Sequence, residues 1–288
     1  MAQDRNRIGS YRLLKLVRAG ATCQIWEVLD EIENRRCALK SLQTDFQKDR
    51  EQIALLKHEH TVGHELEHPS VIEIYEYNIE SGVPYVSLEY FESNNLKQAI
   101  REAREEGAAT LPFDAANMTS IIRQCAAGLG YLHEMGWVHR DVKPDNFLVN
   151  SEGVVKLIDF AIAQKIKRGF ARFLSGKSKI QGTRSYMSPE QIRGEQLDAR
   201  SDIYSFGCVI YEMHAGRPPF TGGNPDQLLQ KHLKAPPPAL AAASSGVSPE
   251  FNELVLSMMA KKREQRPESI GYLLQKLDGM RMYKRAKA

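Results

Sequence analysis

The sequence predicts an α+β protein with two lobes, a small β-rich lobe carrying one main helix and a larger, mainly α-helical lobe. Three observations predict it. Short apolar-rich runs of strand character fill the first ninety or so residues, interrupted by one stretch with helical spacing. Beyond "FESNN" the apolar residues recur at helical intervals. The length of 288 residues supplies enough material for two compact lobes with a buried core.

The elements follow in order. "YRLLKLV", "CQIWEVLD" and "RRCALKSL" read as strands, the last two joined by the polar turn "DEIEN" into a meander. "KDREQIALLKHEHTVGHELEH" reads as a helix with Ile53, Leu56, Val62 and Leu66 on its apolar side. "VIEIYEYNI" and "VPYVSLEY" alternate and are joined by "ESG", a hairpin signal. In "NMTSIIRQCAAGLGYLHEMG", Ile121, Ile122, Cys125, Leu129 and Leu132 form a helical face meant for burial. "SDIYSFGCVIYEMHAG" is apolar almost all round, so it predicts a core helix ending at Gly216. "APPPALAAASSGVSP" predicts a loop, with Ser248 as the next helix N-cap and Pro249 at its first position. The basic tail "RMYKRAKA" is expected to fray. The change of pattern places an inter-lobe cleft near residues 88–95, where ligands favour binding.

Composition narrows the function classes. Hydrophobic residues make up 42% and charged residues 26%, ordinary for a globular protein. A formal net charge of +3 argues for neither nucleic acid nor a membrane surface. No apolar run approaches the length of a membrane span, and the N-terminus has no signal-peptide core. Cys23, Cys37, Cys125 and Cys208 lack metal-ligand spacing. In the expected hairpin Cys37 faces Val28 and not Cys23, so reduced thiols and a cytoplasmic location are the expectation.

"VHRDVKPDNFLV" carries the chemistry. It sets His139, Arg140, Asp141, Lys143 and Asn146 in one short loop between an amphipathic helix and an apolar strand. A carboxylate, an ammonium and an amide so close together suit phosphoryl transfer: one positions a hydroxyl, one neutralises phosphoryl charge, one holds a metal. Asp159 ends the apolar strand "VVKLIDFA" and is a second oxygen ligand of the kind magnesium takes.

With these motifs the chain resembles the eukaryotic-type (Hanks-type) serine/threonine protein kinases, over roughly residues 11–277. The resemblance implies a bilobal protein-kinase-like fold. It divides the chain into an extension, 1–10, a kinase domain, 11–277 with lobes of about 11–91 and 92–277, and a basic tail, 278–288. It implies transfer of the ATP γ-phosphate to Ser/Thr hydroxyls of protein substrates, with ATP and Mg2+ required. By resemblance of "CALK", Lys40 grips the α- and β-phosphates. By "HRDVKPDN", Asp141 accepts the hydroxyl proton, Lys143 steadies the γ-phosphate and Asn146 binds magnesium with Asp159. By the same resemblance Ile25 and Ala38 would lie above the adenine and Leu148 below it, Leu88 would be the gatekeeper, and Glu89 to Phe91 would form the hinge. "MSPEQ" supplies Glu190, with Arg266 as its partner and Asp202 on the core helix. The catalytic-loop lysine and "GTRSYMSPE" resemble the serine/threonine branch, and "GRPPFTGGNPDQLLQKHLKAPPPAL" looks like bacterial members. Small-molecule phosphotransferases share the metal pattern but lack the set of Glu190, Asp202 and Arg266.

Departures are as informative as matches. The phosphate loop "LVRAGATCQIW" keeps Gly20 but has Arg18 and Cys23 where the family has glycine, which predicts a weakened but working phosphate loop. The third residue of "DFA" is Ala161, which predicts narrower mobility. The glutamate that pairs with Lys40 falls at Glu59, nine residues before His68, with Glu51 and Glu65 as competing positions. Four residues on, Gly63 replaces a large apolar residue, which predicts a gap beside Phe160 and a helix that needs help to settle. Lys165, Lys167, Arg168, Arg172, Lys177 and Lys179 repel one another, so disorder is the default for the activation segment. Two readings stand: phosphate at Ser175, Ser178 or nearby orders it by pairing with Arg140, or it is a solvated loop that attracts acidic substrates or partners. Thr183 is expected to face Asp141 and Lys143. The alternative function is a pseudokinase that binds nucleotide as a scaffold.

Overall fold

The computed structural model describes residues 6–105, 115–166 and 181–284. The chain divides into two compact units: residues up to Glu92 with Asp159–Ile162 form one, and Ser93–Ile158 with residues from Ala163 onward form the other.

The first unit is built on an antiparallel sheet of β1 (Arg7–Ile8), β2 (Tyr11–Ala19), β3 (Cys23–Asp30), β4 (Arg35–Leu42), β5 (Ile74–Glu80) and β6 (Val83–Glu89), in the order β1-β2-β3-β4-β6-β5. Register puts Cys37 opposite Val28 and Cys23 opposite Leu42, and all four cysteines are free thiols. The β5–β6 hairpin turns on Ser81 and Gly82, both with positive φ (51° and 83°), as a two-residue turn of this hand requires. Tyr11, Val28, Cys37, Leu39 and Tyr85 form its buried cluster. The helix α1 (Arg50–Gly63) starts at Asp49, whose side chain accepts from the Glu51 and Gln52 amides. It ends at Gly63, before the expected limit, so Leu66 is buried beyond the helix and not on its face.

In the second unit β7 (Asn94–Asn95) joins α2 (Leu96–Glu105), and α3 (Ala115–Glu134) buries Ile121, Ile122, Cys125, Leu129 and Leu132 as the spacing predicts. The strands β8 (Trp137–Val138), β9 (Phe147–Val149), β10 (Val155–Leu157) and β11 (Gln164–Lys165) make two small sheets, β10-β9-β7 and β11-β8. The short α4 (Pro189–Ile192) precedes α5 (Ala199–Ala215), which is buried without a break from Ser201 to Met213. Gly216, with φ 66°, closes α5 in the left-handed conformation that glycine adopts freely. After α6 (Pro225–Lys234), the expected Pro/Ala/Ser loop contains a helical turn, α7 (Leu240–Ala243), because Leu240 finds a buried seat. Ser248 caps α8 (Pro249–Met258) through the Phe251 amide, and α9 (Ile270–Asp278) completes the core.

The described part of the tail departs from expectation. Residues 281–284 dock instead of fraying, and 285–288 lie outside the described residues. Tyr283 bridges Val247, its hydroxyl meets His214 at 2.9 Å, and Met282 is buried. Two apolar anchors inside the basic run outweigh its charge.

Candidate active site

Polar side chains of the expected site interact within each unit. In the first, Lys40 on β4 donates to Glu59 of α1 at 2.6 Å and to Asp159 at 3.3 Å. Glu59 is 5% exposed, whereas Glu51 and Glu65 are exposed, so the three competing glutamates are told apart by burial. Burial alone would lower the Lys40 ammonium, but Asp159 and then Glu59 outweigh it and hold its pKa above the ordinary lysine value. Burial, aided by the like charge of Asp159, pushes the Glu59 carboxyl up to about 6 against the pull of Lys40. Asp159 has a φ of 69°, unusual for a residue with a side chain.

The loop from Gly20 to Thr22 between β2 and β3 is a tight turn. The Gly20 amide donates to the Cys23 carbonyl at 2.8 Å, and the Gln43 side chain donates to the Gly20 carbonyl at 2.5 Å. No residue from Arg18 to Cys23, Gly20 included, has positive φ. The backbone therefore makes no demand that only glycine could meet, which is why Arg18 and Cys23 fit. Ala161 likewise keeps φ out of the left-handed region. Gln43 was not foreseen; nothing in its neighbours marks it. Burial pushes the Cys23 thiol up, with Lys40 opposing. Ile25 pairs in register with Lys40, Ala38 with Leu88, and Cys37 with Glu89. Phe91 follows, half-buried.

Phe160 is fully buried, and the expected gap beside it is absent. A Cβ placed on Gly63 would lie 2.3 Å from Ile74 Cδ1 and 3.1 Å from Phe160 Cδ2, so Ile74 occupies the space.

In the second unit the loop from His139 to Asn146 is held from below by Asp202 of α5. Its carboxylate accepts from the His139 amide at 2.7 Å, the Arg140 amide at 2.9 Å and His133 Nε2 at 2.8 Å. Burial would raise the Asp202 pKa, but these donors win and hold it below the usual carboxylate range. His139 Nδ1 takes the Asp141 amide, which leaves Nε2 to donate to the Ile158 carbonyl at 3.1 Å. Arg140 has a φ of 71°, and its carbonyl accepts from Gln191 Nε2 at 2.8 Å. Gln191 also completes the capping box of α4 with Ser188.

Around Asp141 the contacts are dense. Lys143 Nζ donates to Asp141 Oδ2 at 2.5 Å and to Thr183 Oγ1 at 3.0 Å. The Thr183 amide and hydroxyl both donate to Asp141 Oδ1 at 2.8 Å. Asn146 Nδ2 donates to the Asp141 carbonyl at 2.9 Å, so its amide oxygen is the atom left to meet a hard cation. Leu148 lies on β9, half-buried. Glu190 and Arg266 make a buried, two-pronged ion pair at 2.6 and 2.9 Å. Ser175 and Ser178, with five of the six cations of the activation segment, lie outside the described residues; only Lys165 falls within them.

No cluster of three or more His, Cys, Asp or Glu side chains suited to a metal occurs among the described residues. Among the described residues no helix is long and apolar enough to cross a membrane.

The protein kinase domain family model matches residues 11–276. A probable serine/threonine-protein kinase of Streptomyces coelicolor is 32% identical over 273 residues, 93% of this chain and 39% of that protein. Probable serine/threonine-protein kinase PknB of Bifidobacterium longum is 34% identical over 269 residues, 90% of this chain and 38% of that protein. Serine/threonine-protein kinase PknB of Mycobacterium tuberculosis is 32% identical over 260 residues, 89% of this chain and 40% of that protein. The chain thus spans about two fifths of the length of these relatives.

Proposed function

The chain belongs to the protein kinase domain family, and from that premise we propose that it is a serine/threonine protein kinase acting on protein substrates with ATP and magnesium. The observation that carries this is the Asp141 carboxylate, bonded at once by Lys143 and by the Thr183 hydroxyl. A serine or threonine of a substrate offers the same hydroxyl to the same oxygen. Asp141 would orient that hydroxyl and take its proton, while Lys143 neutralises charge on the phosphoryl group in flight. Lys40, kept charged by Glu59 and Asp159, would hold the α- and β-phosphates. Asn146 and Asp159 would hold magnesium, which when bound shields the phosphate charge. Ile25, Ala38, Leu88 and Leu148 would line the adenine, with hinge backbone from Glu89 to Phe91. Gly20 would lie over the phosphates. Glu190, Asp202 and Arg266 are structural: Asp202 holds the His139 and Arg140 amides beside Asp141, and Arg266 ties Glu190 to the Arg200 and Ala260 carbonyls. The kinase domain covers about 11–277, and ordering of the activation segment by phosphate at Ser175 or Ser178, paired with Arg140, belongs to the same reading.

The test is transfer of labelled γ-phosphate from ATP-magnesium to the protein itself and to a generic basic protein, beside Asp141→Asn. Transfer that vanishes in the variant supports the kinase. Absent transfer, with ATP-magnesium still raising Tm, supports the nucleotide-binding scaffold instead.

A further inference from the structure

We propose that His60 and His64 form a binding site for a divalent transition-metal ion of the zinc class, built at the C-terminal end of α1 against β5.

The stretch "KHEHTVGHELEH" holds His58, His60, His64 and His68. Two of these come together: His60 in the last turn of α1 and His64 at its C-cap, with ring centroids 5.0 Å apart and planes 19° from parallel. The His64 amide donates to the His60 carbonyl at 2.9 Å, so the last helical bond fixes their one-turn separation. Histidines at i and i+4 on one face are the arrangement by which a helix gives zinc two imidazoles.

Spacing alone is common on helices; the orientation of the rings sets this pair apart. His64 Nδ1 meets the Ile74 carbonyl at 3.2 Å. Against a carbonyl that nitrogen carries the proton, so Nε2 carries the lone pair. The His60 ring bonds the backbone of the next residue, Tyr75. Consecutive residues of β5 therefore anchor both rings. Metal-bound histidines are held in the same way, by a carbonyl on the nitrogen that does not touch the metal. Burial, and then the neighbouring His64, push the His60 pKa below its ordinary value, with Glu76 pulling the other way. Neutral imidazole is the form that a metal binds. His64 is exposed and His60 half-buried, so the pair is open to solvent.

The chemistry separates this site from the oxygen ligands assigned to magnesium. Imidazole suits zinc, copper and nickel, whereas magnesium takes oxygen. No third His, Cys, Asp or Glu joins the pair among the described residues. Glu76, on β5, has its Oε1 committed to the hydroxyls of Tyr11 and Tyr85, at 2.8 and 3.3 Å. Two imidazoles with water in the remaining positions make an exchangeable site. Thr61, Val62 and Gly63 lie between them and supply no carboxylate base, so the pair holds an ion and does not hydrolyse. The bound ion joins the last turn of α1 to β5 through both rings.

The experiment titrates Zn2+ calorimetrically into the metal-stripped chain, with magnesium in excess. Parent, His60→Asn, His64→Asn and His58→Asn are compared, and Tm is read with and without zinc. The parent is expected to bind zinc saturably and to gain Tm with it. His60→Asn and His64→Asn should each raise Kd at least about tenfold and lose the gain in Tm, whereas His58→Asn should keep both. Parent binding weaker than about 1 mM overturns the proposal. So does His64→Asn that binds as tightly as the parent, which would place the zinc elsewhere, on a thiol for instance. An equal loss in His58→Asn overturns it as well. If His60→Asn does not fold, the exposed His64 position decides by itself. None of these readouts needs phosphate transfer, so the outcome is independent of the kinase reading.

Discussion

Replacing Arg266 by methionine should destabilise the second unit strongly, because of what it leaves behind. The Arg266 side chain is 0% exposed and that of Glu190 is 3% exposed. Arg266 gives two bonds to Glu190 and others to the carbonyls of Ala260 and Arg200, both at 2.8 Å. Burial would raise the Glu190 pKa, but the Arg266 bond holds it below the usual range. Arg266→Met strips the carboxylate of its cation and leaves Ser201 Oγ, at 2.7 Å, as a side-chain donor. An unpaired buried charge of this kind costs about 3–5 kcal/mol. At roughly 2–4 °C per kcal/mol for a domain of this size, Tm should fall by about 10 °C. The double variant Glu190→Met with Arg266→Met removes the stranded charge and should be more stable than Arg266→Met alone. Circular dichroism followed through urea and thermal unfolding reads both. The exposed pair of Arg123 and Asp278, with side chains 38% and 66% exposed, is the control, and Asp278→Asn should cost under about 1 kcal/mol. A loss below about 1 kcal/mol for Arg266→Met, or single losses that simply add in the double variant, would refute the reasoning.

Other perturbations read the loop around Asp141 and the acid stability of the second unit. Gly182 has a φ of 114°, and a Cβ there would lie 2.8 Å from the Arg140 carbonyl, so Gly182→Ala should cost about 1–3 kcal/mol and depress phosphate transfer. Gly153→Ala, with φ 76° and open space, should cost only the backbone part, and equal Tm losses for the two would sink the steric argument. Gln191→Glu keeps the shape but sets an oxygen against the Arg140 carbonyl, now bonded at 2.8 Å, so kcat should fall while KM for ATP holds; a parent-like kcat would count against it. His232 is buried beside Tyr204, Phe220 and Lys261, and burial, then the Lys261 charge, push its pKa down to about 4. The folded value lies below the ordinary 6.5, so this contribution is complete above pH 6.5 and is lost as pH falls toward 4. The loss is about 3 kcal/mol at most, and His232→Gln should flatten unfolding free energy over that range; an unchanged slope would exclude His232 as its source.

How much of this was legible beforehand depended on distance along the chain. The loop holding His139, Asp141, Lys143 and Asn146 spans eight residues, so its chemistry is written in one continuous stretch. The Ser248 cap, the Gly216 stop and the facing of Cys37 and Val28 are local in the same sense, set by caps, left-handed φ and hairpin register. Burial of α5 from Ser201 to Met213 followed from its apolar circumference. The docked tail and the Leu240 turn escaped, because composition describes a segment's average and not the one side chain that finds a buried seat.

The sequence by itself determined the order of elements, the helical and strand periods and the residue types gathered at Asp141, because these depend on neighbours a few positions apart. Only the tertiary structure decided which glutamate meets Lys40, that Ile74 fills the place beside Gly63, and that Gln43 and Gln191 brace the two loops. It also decided that Gly20 and Ala161 keep φ out of the left-handed region. The physical reason is common to all of these. Periodicity fixes which face a side chain occupies, whereas the partner waiting on that face is brought there by packing from elsewhere in the chain.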